Sequence, residues 1–484
     1  MERAEAEAIY AQGGDAVVAV LLALSERIDA QDAQIATQAG QIEKLLARVE
    51  DLEQRLGRNS RNSSAPPSQD PPGAPERKRA RGSGRKQGGQ PGHEGRHRRL
   101  LPAEQINRQF DHWPERCGCG HEFSAAERES DGDPLRHQVS ELPPITIEVS
   151  EHRLHRLCCP CCGAKTRAKL SASVPRGAFG PRLEAMVATL SVRNRVSRRD
   201  LVELVRELFG CALSTGAVDA ILQRTGAALS VPYEQLLGEI RNADAVNVDE
   251  TGWRLQGGKR TLWGAFTKRL AVFRIAPDRH EREALALLGE EFAGIACSDR
   301  WWAYNVLDPA KRQACWSHLL RDFTFHAEGS GPQTDFGKTG LRIAERVFHA
   351  WQQFQADGDR QTLISEIEPL KHELRALLVQ ASHGKRNKRT WGLAKNLLKI
   401  WPALWTFTTA PGVEPTNNAA ERGLRGAVIY RKLSLGSQSE AGERMIERLL
   451  SVSQTCRLQK RSMLTYLTDV LTARARGDPL PTLT

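Results

Sequence analysis

Residues 58–99 cannot build a core, and that divides the chain. They read RNSRNSSAPPSQDPPGAPERKRARGSGRKQGGQPGHEGRHRR, which is Pro, Gly, Ser and Arg with almost no large apolar side chain. Such a composition buries too little apolar surface to offset the entropy of ordering it, so a disordered or extended linker is expected. It holds eleven Lys and Arg against three acids, which puts eight of the chain's net +11 charges here. A flexible basic arm neutralises phosphates and releases counterions, giving salt-dependent, sequence-independent DNA affinity. A plain solvated tether is the alternative, and it needs no such concentration of charge.

On the N-terminal side, within 1–57, a heptad pattern runs through 15–57. Leu21, Ile28, Ile35, Ile42, Val49 and Leu56 recur every seven residues, with Leu24, Gln31, Gln38, Leu45 and Leu52 three further on. This spacing predicts a self-associating coiled coil, with the glutamines as polar register positions. A single amphipathic helix packed on the body of the protein is the competing reading. Gly40 weakens the helix by ~1 kcal/mol.

On the C-terminal side, 484 residues are too many for one core and predict several modules. Six of the ten cysteines fall in two clusters within 100–178, Cys117-Gly-Cys119-Gly and LCCPCCG at 157–163. Thiolates at such spacing can clamp one tetrahedral zinc, and the glycine after each cluster permits the tight turn required. In the second cluster either Cys159 with Cys162 or Cys158 with Cys161 has the spacing. His112, His121, His152 and His155 are reserve ligands. Clustered cysteines without a secretion signal read as metal binding in a reducing cytosol. No apolar run reaches ~18 residues, so no membrane span is expected.

Residues 179–240 read as a helical module of DNA-binding type. The stretch 181–210 has helical apolar spacing and stops at Gly210, and Ser214 is placed to cap a second helix. Two core helices joining domains are an equal alternative. From 241 the texture changes: AVNVDETGWRL, RTLWGAFTKR and LAVFRIAPDR read as consecutive strands, followed by a helix, the buried strand AGIACSD, and a strand-to-helix unit RQACWSHLLRDFTFH. That order predicts an RNase H-like sheet over 241–326. Residues 327–410 read as helical. The segment 411–484 reads as a helix over 417–430 followed by a long amphipathic one.

Two acids, Asp249 and Asp299, end apolar strands, where a rigid backbone can hold a metal ligand. Glu421 lies on the helix 417–430 and shares a face with Leu424 and Val428. Three convergent carboxylates suit two Mg²⁺ ions and in-line phosphodiester chemistry. The spacing by itself is weak, because Glu250, Asp278, Asp308, Glu414, Glu443 and Glu447 are close in sequence.

The chain resembles the insertion sequence 66 family of transposases. The matching pieces run in order: LGRNSRNSSAPPS, GRKQGGQPGHEGRHR, the double cysteine cluster, VNVDETGWR, CSDRWWAYN, CWSHLLRDF and EPTNNAAERGLRGAVIYRK. The resemblance implies a multidomain α/β protein. Its parts would be an RNase H-like catalytic core with a helical insertion at 327–410, an N-terminal coiled coil, a zinc-binding module and a helical DNA-binding-type module. It implies a DDE transposase that binds its element's terminal inverted repeats, cleaves the ends and joins them to target DNA. Asp249, Asp299 and Glu421 would be its catalytic acids, holding two Mg²⁺ (or Mn²⁺) ions. Cys117, Cys119, Cys159 and Cys162 would hold a structural Zn²⁺, although CGC departs from the family's usual CxxC. The implied partners are double-stranded DNA, a second copy in a homodimer or larger oligomer, and small accessory transposition proteins. The implied place is the bacterial cytoplasm, at the nucleoid.

Supporting roles suggest themselves nearby. Arg422, Arg425, Arg431 and Lys432 flank the glutamate and suit phosphates, and His318 and Arg321 suit the scissile phosphate. Trp253, Trp263, Trp301 and Trp302 read as core before base-stacking platforms. Two rivals remain. His318-Leu-Leu-Arg321 also spells the HxxR of tyrosine recombinases, with Tyr430 or Tyr466 as nucleophile. A non-catalytic DNA-binding regulator would need only the zinc module, basic arm and coiled coil.

Overall fold

A computed structural model describes residues 3–11, 13–56, 99–171, 174–175, 177–329, 331–383 and 388–484. The expected basic linker 58–99 lies almost entirely outside the described residues. The chain divides into two compact units, one of residues 1–77, 297–300 and 307–417, the other of residues 78–296, 301–306 and 418–484.

In the first unit, α1 (Arg3–Tyr10) precedes α2 (Gly14–Leu56), a continuous helix of 43 residues. Along α2 the heptad positions Leu21, Ile28, Ile35, Ile42 and Val49 are each at least half exposed. The helix is as expected, and its apolar stripe faces solvent instead of packing on the body of the chain.

The second unit opens with a cysteine-bearing hairpin, β1 (Arg156–Cys158) and β2 (Lys165–Arg167), paired antiparallel. Helices α3 (Pro181–Ala188), α4 (Arg198–Phe209), α5 (Thr215–Ala228) and α6 (Ser230–Arg241) follow. The sequence predicted one helix from 181 to Gly210. It is broken, because residues 189–193 form a wider π-type turn closed by Asn194 N–H on the Thr189 carbonyl at 3.3 Å. Arg195 then takes a left-handed φ of 64°, and Ser197 caps α4 anew. Gly210 ends α4 with a φ of 63°, and the Ser214 hydroxyl accepts from Ala217 N–H at the start of α5, as the residue types predict.

The strands β3 (Ala245–Leu255), β4 (Gly258–Phe266) and β5 (Ala271–Ala276) form an antiparallel meander. Then come α7 (Glu281–Leu288), β6 (Ile295–Ser298), through which the division between units runs, and β7 (Arg312–Ala314). The strand order is β5-β4-β3-β6-β7. The first unit resumes with α8 (Trp316–Ala327), α9 (Pro332–Asp357), α10 (Arg360–His383), α11 (Lys388–Lys399) and α12 (Thr406–Thr409). A Cβ on Gly340 of α9 would overlap the Phe323 ring of α8, so that crossing requires glycine. The second unit closes with α13 (Asn418–Ser434), α14 (Glu440–Leu458) and α15 (Met463–Arg476). The single long C-terminal helix expected from sequence is two, turning at Lys460, whose φ is 56°.

Strand β5 is the edge of the sheet, and α14 supplies the hydrogen bonds a further strand would have made. Thr455 Oγ1 accepts from Ala271 N–H at 3.0 Å, Ser451 Oγ from Phe273 N–H at 2.9 Å, and the Glu447 carboxylate from Ile275 N–H. Arg444 donates to the Ile275 carbonyl at 2.9 Å. An edge so covered cannot recruit another strand.

Burial is the largest influence on Glu447 and pushes its carboxyl from 4.5 up to about 7, against the pull of Arg444, the Ile275 N–H and Arg274. The folded chain therefore binds this proton more tightly than the unfolded chain. The associated stability is full below about pH 4.5 and is lost as pH rises through 7. Thermal unfolding of Glu447→Gln should show a shallower decline between pH 4.5 and 7 than the wild type. Parallel curves would remove this role.

Candidate active site

The candidate acid Asp249 lies on one face of β3, and Glu421 lies on α13. Residues 247, 249, 251 and 253 alternate onto that face, and α13 covers it. Trp253 stacks with Tyr430, their ring centroids 6.5 Å apart, and Arg431 donates to the Gly252 carbonyl and to Thr251 Oγ1. At the other end of α13, a Cβ on Gly423 would overlap the Phe266 ring, and a Cβ on Gly264 would meet Leu424 at 3.2 Å. Gly264 is the cross-strand partner of Asp249, and Phe266 that of Asn247. The helix thus runs in the same direction as β3, with residues 423–424 beside 247–249 and residues 430–431 over 251–253. Glu421, in the first turn of α13, lies at the Asp249 end. It is exposed, and Asp249 is half-buried, its Oδ1 accepting from Glu250 N–H at 2.9 Å. The apolar stripe expected to bury Glu421 begins at Leu424.

Most of the competing acids are held elsewhere. Glu250 points to the opposite face of β3, its side chain wholly buried, paired with Arg279 and accepting from the Tyr304 hydroxyl. Asp278 pairs with Arg282 and Asp308 accepts from Ala310 N–H. Glu443 lies 3.5 Å from Arg260, and Glu447 is bound to β5 and Arg444.

Asp299 follows β6 in the first unit, and its backbone is pinned from both sides. Arg312, 1% exposed, donates from Nε to Ser298 Oγ at 3.0 Å and from Nη2 to the Asp299 carbonyl at 2.6 Å. Arg300 donates to Asp322 Oδ2 at 3.0 Å and to Asn396 Oδ1 at 2.9 Å. Sequence reasoning missed both arginines, because nothing in RQAC or SDRWW marks which basic residue is buried. The placement of a buried guanidinium behind an acid in space has no linear signature.

The two cysteine clusters fold as matching turns. Cys117 N–H donates to the His121 carbonyl at 2.8 Å and Gly120 N–H to the Cys117 carbonyl at 2.9 Å; Cys159 N–H donates to Ala164 and Gly163 N–H to Cys159 in the same way. Gly120 and Gly163 have φ of 99° and 73°, which is why glycine follows each cluster. Hydrogen bonds from the Cys119 backbone and thiol lower the Cys117 pKa. Those from Cys162 and Cys161, chiefly the Cys162 backbone, lower that of Cys159. Each turn therefore gathers one thiol pair, Cys117 with Cys119 and Cys159 with Cys162, and favours thiolate. Cys158 instead donates to the Gly163 carbonyl at 3.4 Å. Among the described residues, no three His, Cys, Asp or Glu side chains converge as a formed metal cluster. The scattered Cys297, Cys315 and Cys456 are buried, and burial pushes the Cys297 thiol up to about 12.

Arg422, Arg425 and Lys432 are exposed on α13, whereas Arg431 is committed to β3. His318 and Arg321 are half-buried on α8. Tyr466 is 2% exposed with its hydroxyl on the Pro481 carbonyl, and burial raises the pKa of both Tyr430 and Tyr466, which disfavours either as a nucleophile. Trp253 and Trp263 are core, while Trp302 is 43% exposed. No helix among the described residues is long and apolar enough to cross a membrane.

The sequence model described as Transposase IS66 family matches residues 176–445, and one described as a family of unknown function matches residues 18–99. Two uncharacterized proteins of Sinorhizobium fredii, y4hP and y4qI, are each 24% identical to this chain. The first match covers 73% of this chain and 69% of y4hP; the second covers 56% of this chain and 55% of y4qI, about half that relative's length.

Neighbouring acids on opposite faces of β3 should respond differently to neutralisation. Glu250→Gln should lower the unfolding free energy by about 2 kcal/mol, the scale of a hydrogen bond to a charged group. Asp249→Asn should stay within about 0.5 kcal/mol of wild type. Denaturant titration checks this, and equal losses would mean that both acids are structural.

Proposed function

Because this chain belongs to the Transposase IS66 family, we propose that it is a DDE transposase that binds its element's terminal inverted repeats, cleaves the ends and joins them to target DNA. The observation that carries this reading is the packing of α13 on β3, which sets Glu421 at the Asp249 end of one strand face. An antiparallel meander whose first strand is flanked on its other side by two later strands supports an RNase H-like core.

Asp249 and Glu421 offer hard carboxylate oxygens, the donor type that Mg²⁺ or Mn²⁺ prefers, while most of the nearby acids are occupied by arginines or backbone amides. Two such ions, when bound, supply a nucleophile at neutral pH and stabilise the leaving oxygen of a phosphodiester. Asp249, Asp299 and Glu421 hold them, and the clamped backbone at Asp299 limits its drift. Arg422, Arg425 and Lys432 neutralise phosphates flanking the cut. His318 and Arg321 orient the scissile phosphate. The thiol pairs of the two turns, Cys117 with Cys119 and Cys159 with Cys162, supply the four thiolates that a structural Zn²⁺ would take. The exposed stripe of α2 pairs two copies so that two ends react together. Small accessory proteins complete the complex in the cytoplasm, at the nucleoid.

A labelled element-end duplex tests the chemistry. Wild type with Mg²⁺ should give 3′-hydroxyl ends and joined products, and EDTA, Asp249→Asn, Asp299→Asn or Glu421→Gln should each reduce cutting to background. Cutting that survives EDTA and leaves protein attached to DNA would establish a tyrosine recombinase instead. For the zinc, purified protein should carry about one Zn²⁺ per chain. Cys159→Ser should lose it and Cys158→Ser retain it, and equal retention would exclude the ligand set.

A further inference from the structure

A small recess in the second unit lies against the flank of α13 and takes in Arg193, Arg195, Arg457, Gly426, Ser453 and Gln454. Three arginines line it. Among the described residues none of them pairs with a carboxylate, whereas nearby Arg198 and Arg224 are paired with Asp219 and Glu184. Arg193 and Arg195 are half-buried, so their charge is partly stripped of water. Like charges gathered at reduced hydration repel unless an anion sits among them.

The backbone is bent to build this arrangement. The π-type turn at 189–193 widens the end of α3, and Arg195 follows in the left-handed region at φ 64°, a conformation that residues other than glycine rarely adopt. That geometry carries the Arg195 side chain across to α13, where Nε donates to the Gly426 carbonyl at 3.3 Å. Gly426 has no side chain in the way, and a Cβ there would stand 3.4 Å from Arg195 Nη2. The bond to Gly426 engages Nε, and planar guanidinium groups grip phosphate oxygens in pairs through their remaining N–H groups.

We propose that this recess binds a backbone phosphate of the DNA. Gly423, Gly426 and Ala427 line it from the side of α13 turned away from Glu421. The phosphate held is thus distinct from the scissile one, and the contact is independent of base sequence. The proposal rests on the transposase reading for the identity of the DNA as element end, but its test does not require cutting.

The test is duplex binding by fluorescence anisotropy against KCl concentration, using the full chain. Arg193→Gln/Arg195→Gln/Arg457→Gln should weaken binding to element-end and unrelated duplexes equally. It should reduce the slope of log K against log salt by about 1, the release expected for one phosphate. Arg195→Gly deletes a guanidinium while relieving the backbone, so it should melt no lower than wild type and still weaken binding on both duplexes. An unchanged slope with the fold intact would overturn the proposal, and so would a loss confined to the element end. A third arm replaces chloride with inorganic phosphate at matched ionic strength. Stabilisation of wild type over the triple variant, with no difference in DNA slope, would make this a free-phosphate site and overturn the DNA assignment. A reduced slope in protein that never cuts would keep the recess and sink the transposase reading; cutting with an unchanged slope would do the reverse.

Discussion

Everything around Glu421 depends on how closely α13 lies on the sheet. Two glycines facing each other across that contact, Gly423 on the helix and Gly264 on β4, remove the side chains that would hold helix and strand apart, and the Phe266 ring fills the space between them. Farther along, Trp253 against Tyr430 and Arg431 on the Gly252 carbonyl fix the rotation of the helix. With both ends fixed, the first turn of α13 has little freedom, and the position of Glu421 follows from packing that involves no acid. A methyl group at residue 423 would displace that turn, and Glu421 with it, without replacing any acid. Interiors are close-packed, so such a change cannot be absorbed locally.

The same economy appears at the sheet edge. The outward amides of Ala271, Phe273 and Ile275 need acceptors, and α14 presents Thr455, Ser451 and Glu447 at helical spacing to meet them. In the sequence those residues look like polar interruptions of an amphipathic helix. Their spacing of four matches one turn of helix to two residues of strand, about 6 Å against 6.6 Å. A helix laid along an edge strand can therefore satisfy alternate amides with successive turns.

Much of this was legible from the residues. The meander β3–β5, the buried strand β6, the cap at Ser214 and the helix end at Gly210 each rest on local chemistry, and local chemistry is what a linear pattern records. The failures share a cause. The break at 189–197 is set by a left-handed Arg195 that no propensity favours and that reaches a partner 231 positions away. Arg312 and Arg300 looked like any other arginine, since their partners come from separate segments. The overlapping CxxC pairs could not be separated by spacing, and only the folded turn directs Cys158 to a carbonyl and leaves Cys159 beside Cys162.

The burial argument first applied to Glu421 runs the other way once the acids are compared. Among the described residues, Glu184, Glu250, Glu283, Glu443 and Glu447 are the buried carboxylates, and each is costly to bury, so each is matched to arginine. Their charge is thus committed to arginine. Glu421 is exposed and Asp249 half-buried, so neither incurs a large desolvation penalty in the folded chain. A carboxylate that must coordinate a metal during turnover has to be cheap to leave uncoordinated, and the acids with that property are those at the end of β3 and the start of α13.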